Sequence, residues 1–550
     1  MKVLIIGGVA GGMSAATRLR RLNEQAEIIV LEKGPHVSFA NCGLPYYVSG
    51  EITEREALLV QTPASLKARF NLDVRPESEA IELDGVAKKV KIKQGQKVYW
   101  ESYDSLVLSP GARPFVPSIR GIESESVFTL RNVIDLDNIM AFTEAQQPRK
   151  ALVIGAGFIG LEMAENLRRK GLDVTIVEKA AHVLPPLDEE MAVFAEGELR
   201  KHQVSVLTNL SAVSFNEGRV QLEDGQELET DMIILSVGVR PETTLAEAAG
   251  IKLGLGGGIL VDEHYRTNLP DVYAVGDAIV VTQQVTGEEA LISLASPANR
   301  QGRQVADVIA GLPRINQGSI GTAIVRLFEL TAATTGLSER QAKLAGLNYQ
   351  VVHVRGNDHA GYYPGATAVL LKLIFNPESG EIYGAQGVGE KGIDKRIDSL
   401  ATAIKGQLRV ADLPELEFTY APPFGVAKDP VNMLGYVALN VMEGHSEMVQ
   451  WYDLQGLLAE GRRLLDVRGP EEYAAGYIKG GVNLPLPDLR QRLSELDKEQ
   501  SYIVSCASGQ RSYIAERLLK QSGFKVKNLD GAFGLYSQVR PEDVVKGVEE

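Results

Sequence analysis

The first residues of the chain form an apolar run that ends in glycines. Lys2–Ile6 has the continuous β-branched pattern of a buried strand, and it is followed by GGVAGG and by SAATRLRRL, which has the residue spacing of a helix. A second apolar run, EIIVLEK, comes next and contains Glu32 near its end. The pattern predicts a strand, a glycine turn, a helix and a second, parallel strand.

A glycine turn between a buried strand and a helix is suited to binding a dinucleotide. Its backbone N–H groups and the positive end of the helix dipole face a pyrophosphate, and an acid at the end of the second strand accepts from a ribose hydroxyl. Val9 stands where the middle glycine is usual. The candidate cofactor-binding residues of this copy are Gly7, Gly8, Ala10, Gly11, Gly12, Glu32 and Lys33.

The same pattern returns, in complete form, near residue 150. ALVIGAGFIG is followed by a helical stretch and by DVTIVEK, which contains Glu178 near its end. Two copies, each with a terminal acid, predict two dinucleotide sites. Glu178 would repel a 2′-phosphate and no arginine adjoins it, which favours NADH over NADPH. The candidate residues are Gly155, Gly157, Phe158, Ile159, Gly160 and Glu178.

Three further stretches carry a family resemblance. LSPGARP (108–114), ILSVGVRPET (234–243) and VYAVGDA, which delivers Asp277 beside a glycine, resemble the two-dinucleotide flavoprotein disulfide reductases. The resemblance implies that the first fold binds FAD, that the inserted second fold binds NAD(P)H, and that Asp277 contacts the ribityl-phosphate region of the flavin. It also implies a homodimer and three more cofactor positions, Gly111, Gly238 and Ala295.

The chain has two cysteines, at positions 42 and 506. Cys42 lies in SFANCGLPYY, and the fifth position after it is Tyr47, so no C-x-x-x-x-C pair exists. Electrons must therefore leave through a mixed disulfide, a persulfide or a sulfenic acid on Cys42. We expect a helix to begin after this thiol and its N-terminus to lower the thiol pKa. The alternative is a buried, inert cysteine.

The surroundings of Cys42 resemble one subgroup of the family. GGVAGGMSAATRLRR and SFANCGLPYY resemble coenzyme A disulfide reductases, in which Cys–S–S–CoA replaces an internal disulfide. Oxygen- and peroxide-reducing relatives carry a histidine where this chain has Ala10, so the resemblance disfavours an oxidase or peroxidase.

The subgroup implies the remaining residues of the coenzyme A site. Arg18 and Arg21, on one helix face, would hold nucleotide phosphates, with a solvated helix face as the alternative. Ser38 and Asn41 would flank the arm of coenzyme A near Cys42. Two tyrosines from the partner subunit would act at the sulfur, Tyr420 and Tyr362, the latter preferred over Tyr363; packing at the dimer interface is the alternative.

After about residue 445 a different module begins. LLDVRGPEEY, GYIKGGVNLP, YIVSCASGQRS and NLDGAFGLY alternate short strands and helices, and they resemble a rhodanese domain. The loop from Cys506 to Arg511 would curl N–H groups around a thiolate or persulfide, with added charge from Arg511. Tyr477 replaces a usual histidine and Ala507 a frequent arginine, which lowers the positive charge near the loop. A module that only binds or regulates is the alternative.

Length and composition limit the number of domains and the classes of partner that these interpretations allow. A chain of 550 residues predicts three or four domains. A net charge of −14 disfavours nucleic acids and anionic membranes as partners. Two cysteines cannot form a disulfide framework, and no run of about 18 apolar residues occurs, so we expect a cytoplasmic protein that does not span a membrane.

The sequence thus predicts an α/β protein with two Rossmann-like domains, an α+β dimerisation domain and a C-terminal α/β rhodanese domain. The expected ranges are 1–113 with 245–318 for FAD, 114–244 for NAD(P)H, 319–445 for dimerisation and 446–550 for the rhodanese domain.

The expected activity is FAD-dependent reduction by NADH, with NADPH possible, of a sulfur–sulfur bond at Cys42. The substrate is coenzyme A persulfide, polysulfide or coenzyme A disulfide, and Cys506 favours the first two. Three alternatives remain: an NADH oxidase or peroxidase acting through a sulfenic acid, a sulfur-trafficking protein with a redox-sensing flavoprotein part, and a scaffold with empty nucleotide loops.

Overall fold

The computed structural model describes residues 1–216 and 218–546. They form two compact units, the first from residues 1–180 and 202–321 and the second from residues 181–201 together with the described residues from 322 onward. The segment 181–201 lies inside the range expected for the NAD(P)H-binding domain, yet it belongs to the second unit. No helix in the described part of the chain is long and apolar enough to cross a membrane.

Strands and helices are numbered in chain order. Before residue 150 they are β1 Lys2–Ile6, α1 Ala10–Leu22, β2 Glu27–Leu31, α2 Leu44–Val48, α3 Pro63–Phe70, β3 Asp73–Arg75, β4 Ser78–Asp84, β5 Lys89–Gln94, β6 Lys97–Ser102, β7 Ser105–Leu108, β8 Ala112–Pro114, β9 Val127–Phe128 and α4 Val133–Gln146. From 150 to 321 they are β10 Lys150–Ile154, α5 Phe158–Arg169, β11 Asp173–Val177, α6 Glu189–Lys201, β12 Ser205–Leu207, β13 Ala212–Asn216, β14 Arg219–Leu222, β15 Glu227–Glu229, β16 Met232–Leu235, β17 Val239–Pro241, α7 Thr244–Ala248, β18 Val272–Ala274, β19 Val281–Thr282, β20 Glu289–Ala290 and α8 Ala295–Ile309.

The remaining elements complete the second unit. From 322 to 445 they are β21 Ala323–Leu327, β22 Leu330–Gly336, α9 Glu339–Leu344, β23 Gln350–Asn357, β24 Ala368–Phe375, β25 Ile382–Gly389, α10 Ile393–Lys405 and α11 Pro430–Met442. After 445 they are β26 Met448–Val449, α12 Leu454–Ala459, β27 Arg463–Asp466, α13 Pro470–Ala475, β28 Gly476–Ile478, β29 Val482–Asn483, α14 Leu486–Leu489, β30 Ser501–Ser505, α15 Gln510–Gln521, β31 Lys525–Leu529, α16 Ala532–Val539 and β32 Val544–Lys546.

The first unit contains two five-stranded parallel sheets with the same local design. One has the strand order β18-β7-β1-β2-β3 and the other β12-β11-β10-β16-β9. In both, a glycine with positive φ ends the central strand, Gly7 at +102° and Gly155 at +98°. A Cβ on Gly12 would lie 1.9 Å from the Gly7 carbonyl oxygen, and one on Gly160 would lie 2.0 Å from that of Gly155. Only glycine therefore lets each helix start this close to its strand.

The second unit contains an antiparallel and a parallel sheet. The antiparallel sheet has the order β21-β22-β25-β24-β23, and α10 and α11 pack on it. The parallel sheet has the order β26-β31-β30-β27-β29, and β30 leads into the loop that carries Cys506. α6 packs against α16 and strands of the antiparallel sheet, which explains why its segment joins this unit.

Candidate active sites

Each predicted dinucleotide loop is held by its acid. Glu32 accepts from the Gly8 N–H and the Gly34 N–H, both at 2.9 Å. Glu178 accepts from the Ala156 N–H at 2.6 Å and the Ala180 N–H at 2.7 Å. The two carboxylates therefore lie at equivalent edges of two glycine loops, as the sequence pattern predicted.

The second loop leaves room for the group that it is expected to bind. A Cβ built on Gly157 meets no atom within 4 Å, and the same is true of Gly238, which has a φ of +103°. Phe158 begins the 12-residue helix α5, and Ile159 is 36% exposed in its first turn. Ala10 begins the 13-residue helix α1 in the other copy. Open backbone at the start of a long helix fits a dinucleotide pyrophosphate.

Other predicted cofactor residues surround the first loop. Gly111 has a φ of +72°, and a Cβ there would lie 3.2 Å from Nη2 of Arg131. The same Nη2 is 3.0 Å from Asp277 Oδ2, in the turn after β18. Ala295 begins α8, and Lys33 is exposed after β2. These residues fit an FAD site, although the arginine that pairs with Asp277 was missed from the sequence.

Cys42 is an exposed residue, yet protein atoms crowd its thiol. Burial of the thiol raises the pKa of Cys42, the Glu162 carboxylate raises it further, and Arg131 opposes them. The expected short helix exists, α2 after a 3₁₀ turn at Asn41–Gly43, but the expected lowering of the pKa is wrong. Desolvation and a nearby carboxylate outweigh the five-residue helix.

Asn41 is the immediate polar neighbour of the thiol. Its side-chain Oδ1 accepts from the Cys42 N–H at 3.0 Å and lies 3.6 Å from Cys42 Sγ. Ser38 lies nearby in sequence with a φ of +48°, and its N–H donates to the Gly8 carbonyl at 2.8 Å. Asn41 therefore orients the cysteine, whereas Ser38 ties this segment to the first glycine loop.

Glu162 was not found from the sequence. It lies on α5, where Tyr46 donates to it at 3.2 Å. A partly exposed acid among the buried apolar residues of this helix was the available signal. α2 packs on α5. Glu162, which follows the second glycine loop, therefore acts on Cys42, which follows the first glycine loop.

The two arginines assigned to coenzyme A have different surroundings. Nε of Arg18 donates at 2.6 Å to Asp307, a buried carboxylate that Arg314 also contacts at 2.9 Å. Arg21 is exposed, and its Nε donates to the Thr17 carbonyl at 3.1 Å. Arg18 is thus neutralised within the protein, while the charge of Arg21 faces solvent.

The second unit brings two of the predicted tyrosines together. The Tyr362 and Tyr420 hydroxyls lie 3.2 Å apart, and their side chains are 77% and 49% exposed. This hydrogen bond raises the pKa of Tyr362. Tyr363 instead packs edge-on against His359, with ring centroids 5.7 Å apart. Tyr362, and not Tyr363, therefore lies within hydrogen-bond distance of Tyr420.

The rhodanese loop encloses its sulfur. Cys506 is 1% exposed, the Gly509 N–H donates to its Sγ at 3.1 Å, and Ser512 Oγ lies 3.4 Å from the same atom. At the other side of the loop, the Phe533 N–H donates to the Cys506 carbonyl at 2.9 Å. Donors aimed at sulfur stabilise a thiolate or a persulfide anion.

Arg511 lies close enough to Cys506 for the two groups to attract each other electrostatically, and it also pairs with a carboxylate. Its guanidinium binds both oxygens of Glu472, at 2.6 and 2.8 Å, and this pairing lowers the pKa of Glu472 to about 2. The carboxylate therefore stays ionised and neutralises the arginine at all ordinary pH values. Tyr477, in place of the usual histidine, stacks on Tyr473 with ring centroids 4.3 Å apart.

Comparison with known proteins agrees with this geometry. The family model described as pyridine nucleotide-disulphide oxidoreductase matches residues 1–302, and its dimerisation-domain model matches 322–429. The rhodanese-like domain model matches 450–538. The chain belongs to the pyridine nucleotide-disulphide oxidoreductase family.

Three relatives illustrate the likeness. The coenzyme A disulfide reductase of Staphylococcus haemolyticus is 37% identical over 440 residues, which are 80% of this chain and 99% of that protein. The structure of reduced CoADR-RHD from Bacillus anthracis is 50% identical, covers 99% of both chains and has a TM-score of 0.98. The NAD-dependent persulfide reductase from A. fulgidus is 40% identical, covers 98% of this chain and 100% of that one, and has a TM-score of 0.92.

These relatives confirm the predicted fold class and the predicted type of enzyme. This family member is an FAD-dependent oxidoreductase that uses NAD(P)H to reduce sulfur–sulfur bonds and carries a C-terminal rhodanese domain. An NADH oxidase or peroxidase is not favoured, because two solved structures that match nearly the whole chain are a CoADR-RHD protein and a persulfide reductase.

Proposed function

We propose that this enzyme reduces persulfide or polysulfide sulfur at Cys42, with coenzyme A as the thiol that carries the sulfur and Cys506 as its point of entry. The observation that carries the proposal is the pair of unlike thiols in one chain. Cys42 is an exposed residue beside the predicted flavin residues, and Cys506 is buried with the Gly509 N–H directed at its sulfur. An enzyme that reduced only coenzyme A disulfide would not need the second thiol, Cys506.

The chemistry at Cys42 balances without a second cysteine. The Cys42 thiolate attacks the coenzyme A-side sulfur of a persulfide, a Cys42–S–S–CoA bond forms, and hydrosulfide leaves with the electron pair of the broken bond. FAD, when bound, would supply the two electrons, taken from NADH, that return this disulfide to a Cys42 thiolate and a coenzyme A thiol. Asn41 orients the thiol, and Arg21 offers its free charge to a phosphate.

The tyrosines complete the proposed site. Tyr362 and Tyr420, from the partner subunit of a homodimer, protonate the departing coenzyme A sulfur or orient the disulfide. Glu178 selects NADH because a carboxylate repels a 2′-phosphate. A free cysteine at position 42 fits a reducing compartment, and we place the enzyme in the cytoplasm.

We place the domains at the ranges expected from the sequence, with one modification. The FAD-binding domain has 1–113 and 245–318, and the dimerisation and rhodanese domains have 319–445 and 446–550. The segment 181–201 moves from the NAD(P)H-binding range to the dimerisation domain, since it packs within the second unit.

The test is anaerobic NADH oxidation by the holoenzyme with coenzyme A persulfide, polysulfide and coenzyme A disulfide as competing acceptors. We expect the first two to dominate, Cys42→Ser to abolish the rate, and Cys506→Ser to slow only assays in which sulfur enters from a separate donor. Dominance of coenzyme A disulfide with no effect of Cys506→Ser would overturn the coupling. Sulfur transfer with negligible NADH turnover would favour the sulfur-trafficking alternative.

A further inference from the structure

A dimerisation-domain arginine lies on the rhodanese loop. Arg355, in β23, lies beside Gly534 of α16, where a Cβ would come 2.9 Å from Arg355 Nη1 and 2.6 Å from the Ala507 carbonyl oxygen. The Gly534 N–H also donates to that carbonyl at 3.0 Å. The absence of a side chain at Gly534 thus gives the guanidinium a place next to the residue that follows Cys506.

A buried group of hydrogen bonds around His353, called here the His353 anchor, fixes the position of Arg355 beside Gly534. His353, two residues earlier on the same face of β23, donates its backbone N–H to Asp530 Oδ1 at 3.0 Å and pairs through Nδ1 with Oδ2 at 2.8 Å. Its Nε2 lies 3.2 Å from Glu190 Oε1. Gln450 joins Asp530 to the Val351 carbonyl with two bonds of 3.1 Å. Because Asp530 lies two residues before α16, the anchor sets where Arg355 meets the loop.

Arg355 differs from the other arginines near the loop in its charge balance. Arg511 is neutralised by Glu472, and the buried Arg468 is neutralised by Asp466 at 2.7 Å. Arg355 is exposed, and within residues 1–216 and 218–546 it has no hydrogen-bond or ion-pair partner. The planar guanidinium of an uncompensated arginine binds oxyanions such as sulfonates and phosphates through two parallel hydrogen bonds.

We propose that Arg355 is the anion-binding residue of the sulfurtransferase site, supplied to the rhodanese loop by the dimerisation domain. It binds the oxyanion, a sulfonate or a phosphate, of the molecule whose sulfane sulfur is transferred to Cys506. The inference rests on the proposed role of Cys506 and adds the class of donor. With thiosulfate, the Cys506 thiolate attacks the outer sulfur, a persulfide anion forms, and sulfite leaves with the electron pair of the broken S–S bond.

The test measures sulfur transfer from three donors to cyanide by the full-length holoenzyme, recorded as thiocyanate. The donors are thiosulfate, coenzyme A persulfide and an uncharged dialkyl trisulfide. We expect Arg355→Gln to raise the KM for an anionic donor about tenfold, with kcat and the trisulfide reaction unchanged. If the KM rises with thiosulfate alone, Arg355 binds a sulfonate. If it rises with coenzyme A persulfide alone, Arg355 binds a phosphate. If it rises with both, Arg355 recognises the negative charge that the two donors share.

Two variants separate binding from structure. Arg355→Gln with Ala507→Arg returns a cation to the same edge of the loop and should restore the KM, while Arg340→Gln, at an exposed arginine of the same domain, should change nothing. An equal loss of sulfur transfer with all three donors in Arg355→Gln, or no loss with any of them, would overturn the role of Arg355. If the wild-type protein transfers sulfur from none of them although Cys42 still reduces coenzyme A disulfide, the role of Cys506 fails, and this inference with it.

Discussion

The hydroxyl of Tyr362 lies 3.2 Å from the hydroxyl of Tyr420, 58 residues later in the chain. Both side chains are largely open to solvent, so the pair is not explained by burial in a core. Both phenols are protonated at neutral pH, because the ordinary pKa of tyrosine is about 10 and their hydrogen bond raises that of Tyr362. This arrangement suits a proton donor to a leaving thiolate.

Loss of either hydroxyl should therefore slow the reaction at Cys42. We expect Tyr362→Phe and Tyr420→Phe each to lower kcat with coenzyme A persulfide by about tenfold or more, with the double variant close to the worse single variant. Tyr363→Phe is the control, because that ring packs on His359. Steady-state NADH oxidation measures the effect. An equal loss in Tyr363→Phe would mean that these aromatic residues only pack.

The reactivity of Cys42 should respond to the carboxylate on α5. Burial and Glu162 raise the thiol pKa, so Glu162→Gln should move the pH profile of Cys42 alkylation toward lower pH. Arg131→Gln should move it the other way. The rate of iodoacetamide modification between pH 6 and 10, followed by mass spectrometry of the Cys42 peptide, measures both shifts.

Tyr46→Phe provides the control for this experiment, since it removes the hydrogen bond to Glu162 but keeps the charge. Its profile should stay nearer to the wild type than that of Glu162→Gln. Shifts of the same sign in Glu162→Gln and Arg131→Gln would contradict the electrostatic explanation and indicate a change in the loop itself.

The His353 anchor predicts how stability depends on pH. Burial alone lowers the pKa of His353, but Asp530 and Glu190 outweigh it and raise the pKa to about 9, while Lys372 forms ion pairs with Glu190 and Asp188. Because the folded pKa exceeds the unfolded value of about 6.5, the charged imidazole stabilises the fold fully below that value. The stabilisation is lost as the pH rises through 9.

Thermal unfolding between pH 6 and 10 tests this dependence. The unfolding midpoint of the second unit should fall across the alkaline part of this range in the wild type, and His353→Gln should start lower and change less. His264→Gln is the control, because His264 is only partly buried and lies in the first unit. An unchanged slope in His353→Gln would assign the pH dependence to other groups.

Much of the nucleotide-binding architecture could be predicted because its determinants are local. Glycine spacing and a terminal acid specify a loop whatever lies around it, and Glu32 and Glu178 hold their loops in the same way. The effect of Glu472 on Arg511 and of Glu162 on Cys42 could not be predicted. Each depends on side chains 39 or more residues apart that only the folded chain brings together.

The charge near the rhodanese loop also could not be predicted from the sequence. Ala507 in place of a frequent arginine indicated a weakened positive field, yet Arg355, from another sheet, lies beside Gly534 next to the Ala507 carbonyl. Its approach depends on the glycine at 534 and on the buried pair of His353 and Asp530. Neither feature has a sequence signature, because a helical glycine or a strand histidine has many structural uses.

The glycine at 534 gives the most direct test of how closely these elements pack. In Gly534→Ala the new methyl would lie 2.6 Å from the Ala507 carbonyl oxygen and 2.9 Å from Arg355, so the loop or the helix has to move. We expect a loss of about 1–3 kcal/mol in the free energy of unfolding, as for other overpacked sites. Sulfur transfer should fall with it, while reduction of coenzyme A disulfide at Cys42 should persist.

Gly456→Ala is the matched control, since a Cβ there meets no atom within 4 Å on the exposed helix α12 of the same domain. Alanine is the better helix former, so this variant should be as stable as the wild type or up to about 1 kcal/mol more stable, with full sulfur transfer. Denaturant unfolding and thiocyanate formation measure both variants. Equal behaviour of the two would mean that α16 can shift away from the Cys506 loop without consequence, and that the contact of Arg355 with this loop does not depend on the glycine.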